Sequence, residues 1–317
     1  MISFFRGLRR AGVLSMNARN ADYVDAHNPR RLHPLVNNKL QTKQIVVDGG
    51  LEAPELYAVL EIHSQGKKLS GMIEGREAFV LKPAHGAQGD GIIVVDGKMK
   101  GGWRKANGLR ITEGEIAFHV SNILSGMYSL GGHPDVAMVE YRVAFDPLFD
   151  KVTYQGVPDM RIIVFKGVPA MGMVRLPTRE SDGKANLHKG GLGVGLDMAS
   201  GLTTWAIHHD RLIDEHPDTG HELSGIQIPE WTKLLEICSR CYDLTGLGYL
   251  GVDVVLDRDR GPMILELNAR PGLSVQIANR RGLRRNLEII AARDDLDSTE
   301  ARVAFARETF GNDRAFV

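Results

Sequence analysis

Within GPMILELNARPG (residues 261–272), Glu266 and Asn268 stand two residues apart in an otherwise bulky, apolar run. In a strand, residues i and i+2 point to the same face, so a carboxylate and a carboxamide share one side of what reads as a core strand. Isolated charge in an apolar setting is expensive unless something compensates it. The preceding segment GVDVVLD and this one are two apolar runs around DRDRGP, which is a hairpin signal. Centring the turn between Asp259 and Arg260 pairs residue 257 with 262, 255 with 264 and 253 with 266. That register sets Asp253 directly across from Glu266, where like charges are destabilising. Two carboxylates and an amide oxygen on one face are hard ligands of the kind Mg²⁺ takes, usually with water and substrate phosphates completing its shell. The same residues admit another reading, in which arginines such as Arg270 or Arg175 bridge the acids, or one acid is protonated.

A metal site of this kind calls for phosphates, and FVLKPAHGAQGDGIIVV offers a place for them. Lys82 ends a strand and is followed by Gly86, Gly89 and Gly91, whose backbone N–H groups can close over phosphate oxygens. The pattern is not a Walker A loop, which needs GK[ST] opening a helix. It is not a dinucleotide fingerprint either, because a strand follows the glycines. A plain hairpin tip would also use such glycines.

These residues need elements to hold them. NNKLQTKQIVVDGG reads as a helix stopped by Gly49-Gly50, with a strand after Pro54. EAFVLKPAH and IIVVDG read as two strands of one hairpin. EGEIAFHVSNILSGMY has helical periodicity, with Ile116, Val120, Ile123, Leu124 and Met127 on one side. VAMVEYRV (136–143) is a buried strand, and MRIIVFKGVPAMGMVRLPT is two strands around Lys166-Gly167. A glycine-dense segment leads into another strand. A long connection over residues 203–229 then carries His208, His209, His216 and His221. No spacing among them matches a structural zinc motif, so they read as a polar surface excursion. Cys238 and Cys241 could be a redox pair or half a zinc site, but no second pair exists and the helical period of PEWTKLLEICSRCYDL makes them buried helix cysteines. Strands and helices mix without strict βαβ alternation, which points to an α+β fold with mainly antiparallel sheets.

Bulk composition narrows the class. The 317 residues suffice for a sizeable core, and 39 acids balance 39 bases, so no broad polyanion-binding surface or nucleic-acid partner is implied. No run approaches the roughly 18 apolar residues of a membrane span. The basic start, MISFFRGLRRAGVL, is too short in its apolar run for a signal peptide and reads as a solvated helix, so the expected location is cytoplasmic.

In order along the chain, NNKLQTKQIVVDGGLEAPEL, FVLKPAHGAQGDGIIVV, MVEYR, DMRIIVFKG, KANLHKGG, GVDVVLD and LELNARPG resemble the ATP-grasp ligases. The likeness is strongest to the glutamate-adding branch that modifies a ribosomal protein, its alpha-L-glutamate ligase-like relatives and the sugar-transfer-associated ATP-grasp proteins. It covers roughly residues 38–285. The resemblance implies ATP held between two α+β lobes, an N-terminal lobe at 38–135 with the glycine flap and a C-terminal lobe at 136–285 with the metal hairpin. A basic arm (1–37) and a charged tail (286–317) would flank them. Only 38 residues precede Lys39, where such ligases usually carry a full preceding domain.

By resemblance, Lys39 and Lys82 contact ATP phosphates and Gly86, Gly89 and Gly91 form the flap. Glu140 and Tyr141 match the linker that reads adenine through its backbone, Asp159 lies near the ribose or phosphates, and Lys184 and Asn186 lie near the transferring phosphoryl group. Asp253 and Glu266 bind one Mg²⁺, with Glu266 and Asn268 binding a second; Mn²⁺ is an acceptable replacement. Arg161, Arg175 and Arg270 are substrate or intermediate clamps, although Arg161 could instead form a structural ion pair with Asp159. His188 either orients substrate or braces its loop. The implied reaction joins a small-molecule or peptide carboxylate to an amine, such as an amino acid, through an acyl phosphate. The alternatives are a phosphotransferase acting on a sugar or small acid, and a non-catalytic ATP-binding partner; a homo-oligomer is compatible with either.

Overall fold

The computed structural model describes residues 7–8, 10–86 and 89–311. By contacts the chain divides into two compact units, one of residues Asn38–Lys43 and Ala53–Ala144, the other of Met1–Asn37, Gln44–Glu52 and Phe145–Val317.

The smaller unit is built on a six-stranded antiparallel sheet. Its strands are β1 (Leu56–Leu60), β2 (Phe79–Pro83), β3 (Ile93–Met99), β4 (Gly102–Lys105), β5 (Arg110–Ile111) and β6 (Ala137–Glu140), in the order β1-β6-β2-β3-β4-β5. Helix α1 (Lys39–Asp48) contributes its first residues to this unit. Helix α2 (Glu113–Leu124) starts at a reciprocal cap: Glu115 N donates to Thr112 Oγ1 at 3.2 Å and Thr112 N donates to Glu115 Oε2 at 2.7 Å. Its Ile116, Val120 and Ile123 pack into a core with Leu60, Phe79, Leu81, Trp103 and Val139.

Two expectations change here. Met127 is 64% exposed, because the helix stops at Leu124 and Gly126 turns the chain at φ +82°, where a Cβ would lie 2.3 Å from His133 O. The strand expected at 136–143 within the second lobe is shorter and belongs to this sheet, inserted between β1 and β2. Sequence order conceals such an insertion, since the strand returns to partners far back along the chain.

The larger unit has a seven-stranded antiparallel sheet. Its strands are β7 (Asp159–Phe165), β8 (Val168–Leu176), β9 (Leu192–Leu196), β10 (Thr203–His208), β11 (Arg211–Ile213), β12 (Tyr249–Asp257) and β13 (Gly261–Asn268), in the order β11-β10-β9-β8-β7-β12-β13. Helices α3 (Trp231–Thr245), α4 (Ser274–Ala278), α5 (Arg284–Ala291) and α6 (Thr299–Thr309) pack on it. Cys238 and Cys241 are fully buried in α3, and burial pushes the Cys241 thiol up to about 12, so both are inert core residues.

The connection expected to be a polar surface excursion is partly sheet. Ala206 and Ile207 in β10 are buried, as are Leu223 and Ile228 beyond it. His216 is 1% exposed, with its Nε2 donating to Pro177 O at 3.1 Å and its Nδ1 accepting from Asp218 N at 3.2 Å. Burial lowers its pKa, and both ring nitrogens are satisfied as a neutral brace. The dense charge of HHDRLIDEHPDTGHEL hid a hairpin too short to show its alternation.

The segment expected to be a basic arm also packs into this unit from residue 10 on; its first residues, 1–6 and 9, lie outside those described. Asn28 stands in for a strand partner of Tyr249, its Oδ1 accepting from Tyr249 N and its Nδ2 donating to Tyr249 O, both at 2.8 Å. Leu14 N donates to Gln276 Oε1 at 2.8 Å. Helical pieces of three to six residues, interrupted at Pro29 and Pro34, leave no periodicity to read. In the tail, Val303, Ala306 and Phe310 are buried, and Arg302 pairs with Asp243 at 2.9 Å; residues 312–317 lie outside those described. Among the described residues, no helix is long and apolar enough to cross a membrane.

Candidate functional site

In the smaller unit, Lys82 projects from β2 and Glu140 from the neighbouring β6, while Lys43 lies one turn along α1 from Lys39. Lys82 Nζ pairs with Glu140 Oε1, and Lys43 Nζ lies 3.0 Å from Glu140 Oε2. Burial alone would raise the Glu140 carboxyl, but Lys82 and Lys43 outweigh it and hold it below the usual range. Burial lowers Lys43, with Glu140 opposing. Lys39 Nζ donates to Gly86 O at 2.6 Å, tying the start of α1 to the glycine loop.

Gly89 and Gly91 both have φ +75°, so the turn between β2 and β3 needs them whatever it binds. Gly91 also abuts the Tyr128 ring, at 2.6 Å from where a Cβ would sit. Tyr141 N donates to Glu55 O at 2.8 Å. Sequence reasoning gave Glu140 a backbone role only and missed Lys43. The i, i+4 spacing from Lys39 was the available signal, since it places both lysines on one helix face.

In the larger unit, four adjacent strands assemble a row of charge. The ladder sets Asp159 across from Arg175, Arg161 across from Asp253, and Asp253 across from Glu266. Arg161 grips Asp253 with both arms, Nε to Oδ1 at 2.7 Å and Nη2 to Oδ2 at 2.6 Å. Arg175 grips Asp159 at 2.5 and 2.8 Å, and its Nη2 also reaches Asp253 Oδ2 at 2.8 Å. Asn268 Nδ2 donates to the same Oδ2 at 3.3 Å. Burial would raise Asp253, but Arg161 and Arg175 overcome it and hold the carboxyl at about 2. Burial, opposed by Arg175 and reinforced by the Asp253 charge, pushes Asp159 up to about 6. Arg175 would be lowered by burial, yet Asp159, Asp253 and Glu266 together raise it and keep it charged.

The pairing of Asp253 with Glu266 is reached by a different path from the one expected. The turn is tighter, pairing Asp257 with Gly261 and Val255 with Met263. A bulge at Leu265, between the pairs Val254–Ile264 and Asp253–Glu266, then restores the offset. Arg161 pairs with Asp253 rather than Asp159. Arg175 does bridge the acids, whereas Arg270 is exposed and, among the described residues, makes no side-chain ion pair with them.

Asn186 caps the short helix Leu187–Lys189, its Oδ1 accepting from His188 N at 3.0 Å, and His188 itself is exposed. Among the described residues, no hydrogen bond or ion pair joins Lys184 or Asn186 to the acid–arginine row. The donors suit a hard divalent cation. Glu266, Asn268 and Asp253 offer oxygens from one face, and Asp253 Oδ1 receives a single N–H, leaving a lone pair.

Solved structures similar to this chain share low sequence identity with it. The ligase PsnB complexed with precursor peptide PsnA2 and AMPPNP is 15% identical, with 84% of this chain and 61% of that one covered and a TM-score of 0.45. The D-cycloserine synthetase DcsG is 14% identical, with 83% and 72% covered and a TM-score of 0.46. D-alanine–D-alanine ligase from Bacillus anthracis is 13% identical, with 87% and 70% covered and a TM-score of 0.42. The chain thus spans about three fifths of the length of PsnB. No curated protein matches it. Residues 18–292, however, match the family described as sugar-transfer associated ATP-grasp, and that span takes in both sheets, the lysine–glutamate cluster and the acid–arginine row. On that match the chain belongs to the sugar-transfer associated ATP-grasp family.

Proposed function

We propose that this protein is an ATP- and Mg²⁺-dependent carboxylate–amine ligase of the alpha-L-glutamate ligase-like kind, working in the ATP-supplied cytoplasm. The observation that carries the reading is opposite charge on two sets of buried and half-buried groups. Two lysines face one carboxylate in the smaller unit, and two arginines face three carboxylates in the larger. The first set suits phosphate oxygens and the second a divalent cation.

In this reading Lys39, Lys82 and Lys43 neutralise nucleotide phosphates, and the N–H groups around Gly89 and Gly91 close over them. Glu140 keeps Lys82 and Lys43 in place, and the backbone at Glu140 and Tyr141 reads the base. Asp253, Glu266 and Asn268 would hold one or two Mg²⁺ ions, or Mn²⁺, which supply positive charge to the transferring phosphoryl group. Arg161 and Arg175 position Asp253 and offset charge as it develops. Lys184, Asn186 and Arg270 would meet the phosphoryl or substrate end.

A substrate carboxylate oxygen attacks the γ-phosphorus, the bond to ADP breaks, and an acyl phosphate results. The amine then attacks the acyl carbon, loses a proton, and phosphate leaves with the bonding electrons. The carboxylate would come from a peptide or small molecule and the amine from an amino acid. The family's association with sugar transfer favours a second reading, transfer of the phosphoryl group to a sugar or small acid.

ADP release measured over a panel of carboxylates, with and without amines, tests both. Turnover that requires an amine is the expected result. Phosphorylated product formed without an amine establishes the second reading, and no ATP binding in Mg²⁺ defeats both.

A further inference from the structure

A second cluster of metal-ligating side chains lies in the larger unit. Glu180 sits on the loop between β8 and β9, and His208 and His209 sit at the tip of the β10–β11 hairpin. The three ligating atoms lie within 4.8 Å of one another. His209 Nε2 is 2.9 Å from Glu180 Oε1, and His208 Nε2 is 3.1 Å from Glu180 Oε2. The two rings lie with centroids 4.4 Å apart and their planes tilted by 34°.

Neighbouring side chains of a strand point to opposite faces, so two consecutive histidines do not ordinarily reach one carboxylate. Here the alternation is broken because His209 holds φ +54°. A left-handed backbone at a non-glycine residue is uncommon, and here it serves the two-residue turn between β10 and β11, which is what swings His209 to the side of His208.

Simple hydrogen bonding accounts for half of the cluster. His209 Nε2 does bond to Glu180. His208 Nε2 is buried and, despite its 3.1 Å approach, has no hydrogen-bond partner. A buried ring nitrogen aimed at a carboxylate without bonding to it is what a shared third atom would satisfy. With metal–ligand distances near 2.0–2.1 Å, the edge of a tetrahedral site is about 3.4 Å. The two histidines approach different oxygens of Glu180, at 2.9 and 3.1 Å, so admitting an ion takes a rotation of this exposed carboxylate that draws atoms now within 4.8 Å of one another onto that edge.

The carboxylate is also held from behind. A Cβ at Gly190, where φ is +92°, would lie 2.8 Å from Glu180 Cδ and Cγ. Buried Thr178 and Ser181 brace the loop, with Thr178 Oγ1 donating to Gly190 O at 2.8 Å, and His216 holds Pro177 O. Such support orients metal ligands.

We propose that Glu180, His208 and His209 form a site for a divalent transition cation of the zinc class, with water as the fourth ligand. Two imidazoles select such an ion over Mg²⁺. The bound ion fastens the loop that carries Lys184 and Asn186 to the β10–β11 hairpin. The site shares no residue with the Asp253 row and stands whether or not the ligase reading does.

The test uses the full chain, stripped of metal and held in excess Mg²⁺, titrated with Zn²⁺ against a chromophoric chelator. One equivalent of tight zinc is expected, with Co²⁺ in its place giving the visible absorption of a four-coordinate site. His209→Ala and Glu180→Gln should each weaken zinc binding at least about 10–100-fold. The His209 side chain is half exposed, so its variant keeps the fold and decides the matter if Glu180→Gln does not. Zinc should also slow tryptic cleavage after Lys184 in the wild type and not in His209→Ala. Failure to bind zinc in excess Mg²⁺, or equal affinity in wild type and His209→Ala, overturns the site. Unchanged cleavage overturns the fastening.

Discussion

The buried charges of the smaller and larger units are built from the same interactions with opposite balance. In the smaller unit one carboxylate, Glu140, is shared between Lys82 and Lys43, so positive charge is in excess. In the larger, Arg161 and Arg175 divide themselves among Asp159, Asp253 and Glu266, so negative charge is in excess. Burial lowers Lys43 in one unit and pushes Asp159 up to about 6 in the other, in each case against the pull of an oppositely charged partner. Full neutralisation would have made each cluster a structural ion pair. In the proposed function the charge left over in each gives the chemistry its direction, toward anionic phosphate in one unit and toward a cation in the other.

The sharpest way to break this comparison is to remove the excess negative charge. Glu266→Gln keeps the shape of a half-buried side chain and leaves the Asp253 ion pairs intact. Turnover should fall at least about 100-fold, because metal-borne charge stabilisation is worth several kcal/mol. Thermal stability should change little, and a Glu266→Gln protein with wild-type turnover would remove the metal assignment. Arg175→Met acts the other way and strikes the fold. It leaves Asp159 without its partner and Asp253 with one arginine, at a cost of about 3–5 kcal/mol readable by urea unfolding. A loss under 1 kcal/mol would show that Arg161 alone carries the row.

The smaller unit should answer to acid. The Glu140 carboxyl is depressed in the folded protein, so its contribution is fully present above the unfolded value near ~4.3 and is lost as pH falls through the folded value. Glu140→Gln should cost about 3 kcal/mol at neutral pH by leaving two lysines without their shared anion. The gap between wild type and variant should close as the solution is acidified, followed by denaturant titration at several pH values. A constant gap would show that the contribution of Glu140 is packing rather than charge.

How far the sequence disclosed these clusters depends on distance along the chain. Asp253 and Glu266 belong to one hairpin, so period-two reasoning found them across from one another even though the turn and the bulge at Leu265 both departed from the simple register. Arg175 and Asp159 meet because β7 and β8 form another hairpin. That β12 lies beside β7, bringing Arg161 to Asp253, is a pairing of strands far apart in sequence and leaves no local trace. Lys43 was obscure for the same reason, since its partner Glu140 arrives on a strand almost a hundred residues later. The histidines of the β10–β11 hairpin were masked differently. Their meeting with Glu180 depends on one left-handed residue, His209, which composition does not reveal.

The smallest change separates structure from chemistry most cleanly. Asn268 makes one hydrogen bond to Asp253 Oδ2, at 3.3 Å, and is half-buried. As a structural group it is worth about 0.5–1.5 kcal/mol, because Asp253 keeps both arginines without it. Asn268→Ala should therefore lower the unfolding free energy by no more than about that amount. If its oxygen ligates a cation in the working enzyme, the same change should raise the Mg²⁺ concentration needed for half-maximal turnover about 10-fold or more, a loss of some 1.4 kcal/mol confined to the metal-bound state. Asn268→Asp sharpens the contrast: it restores an oxygen ligand but adds a like charge beside Asp253, so metal-free stability should fall below that of Asn268→Ala while Mg²⁺ narrows the difference. If both variants keep wild-type Mg²⁺ dependence, Asn268 only steadies Asp253, and the cation is held by the carboxylates alone.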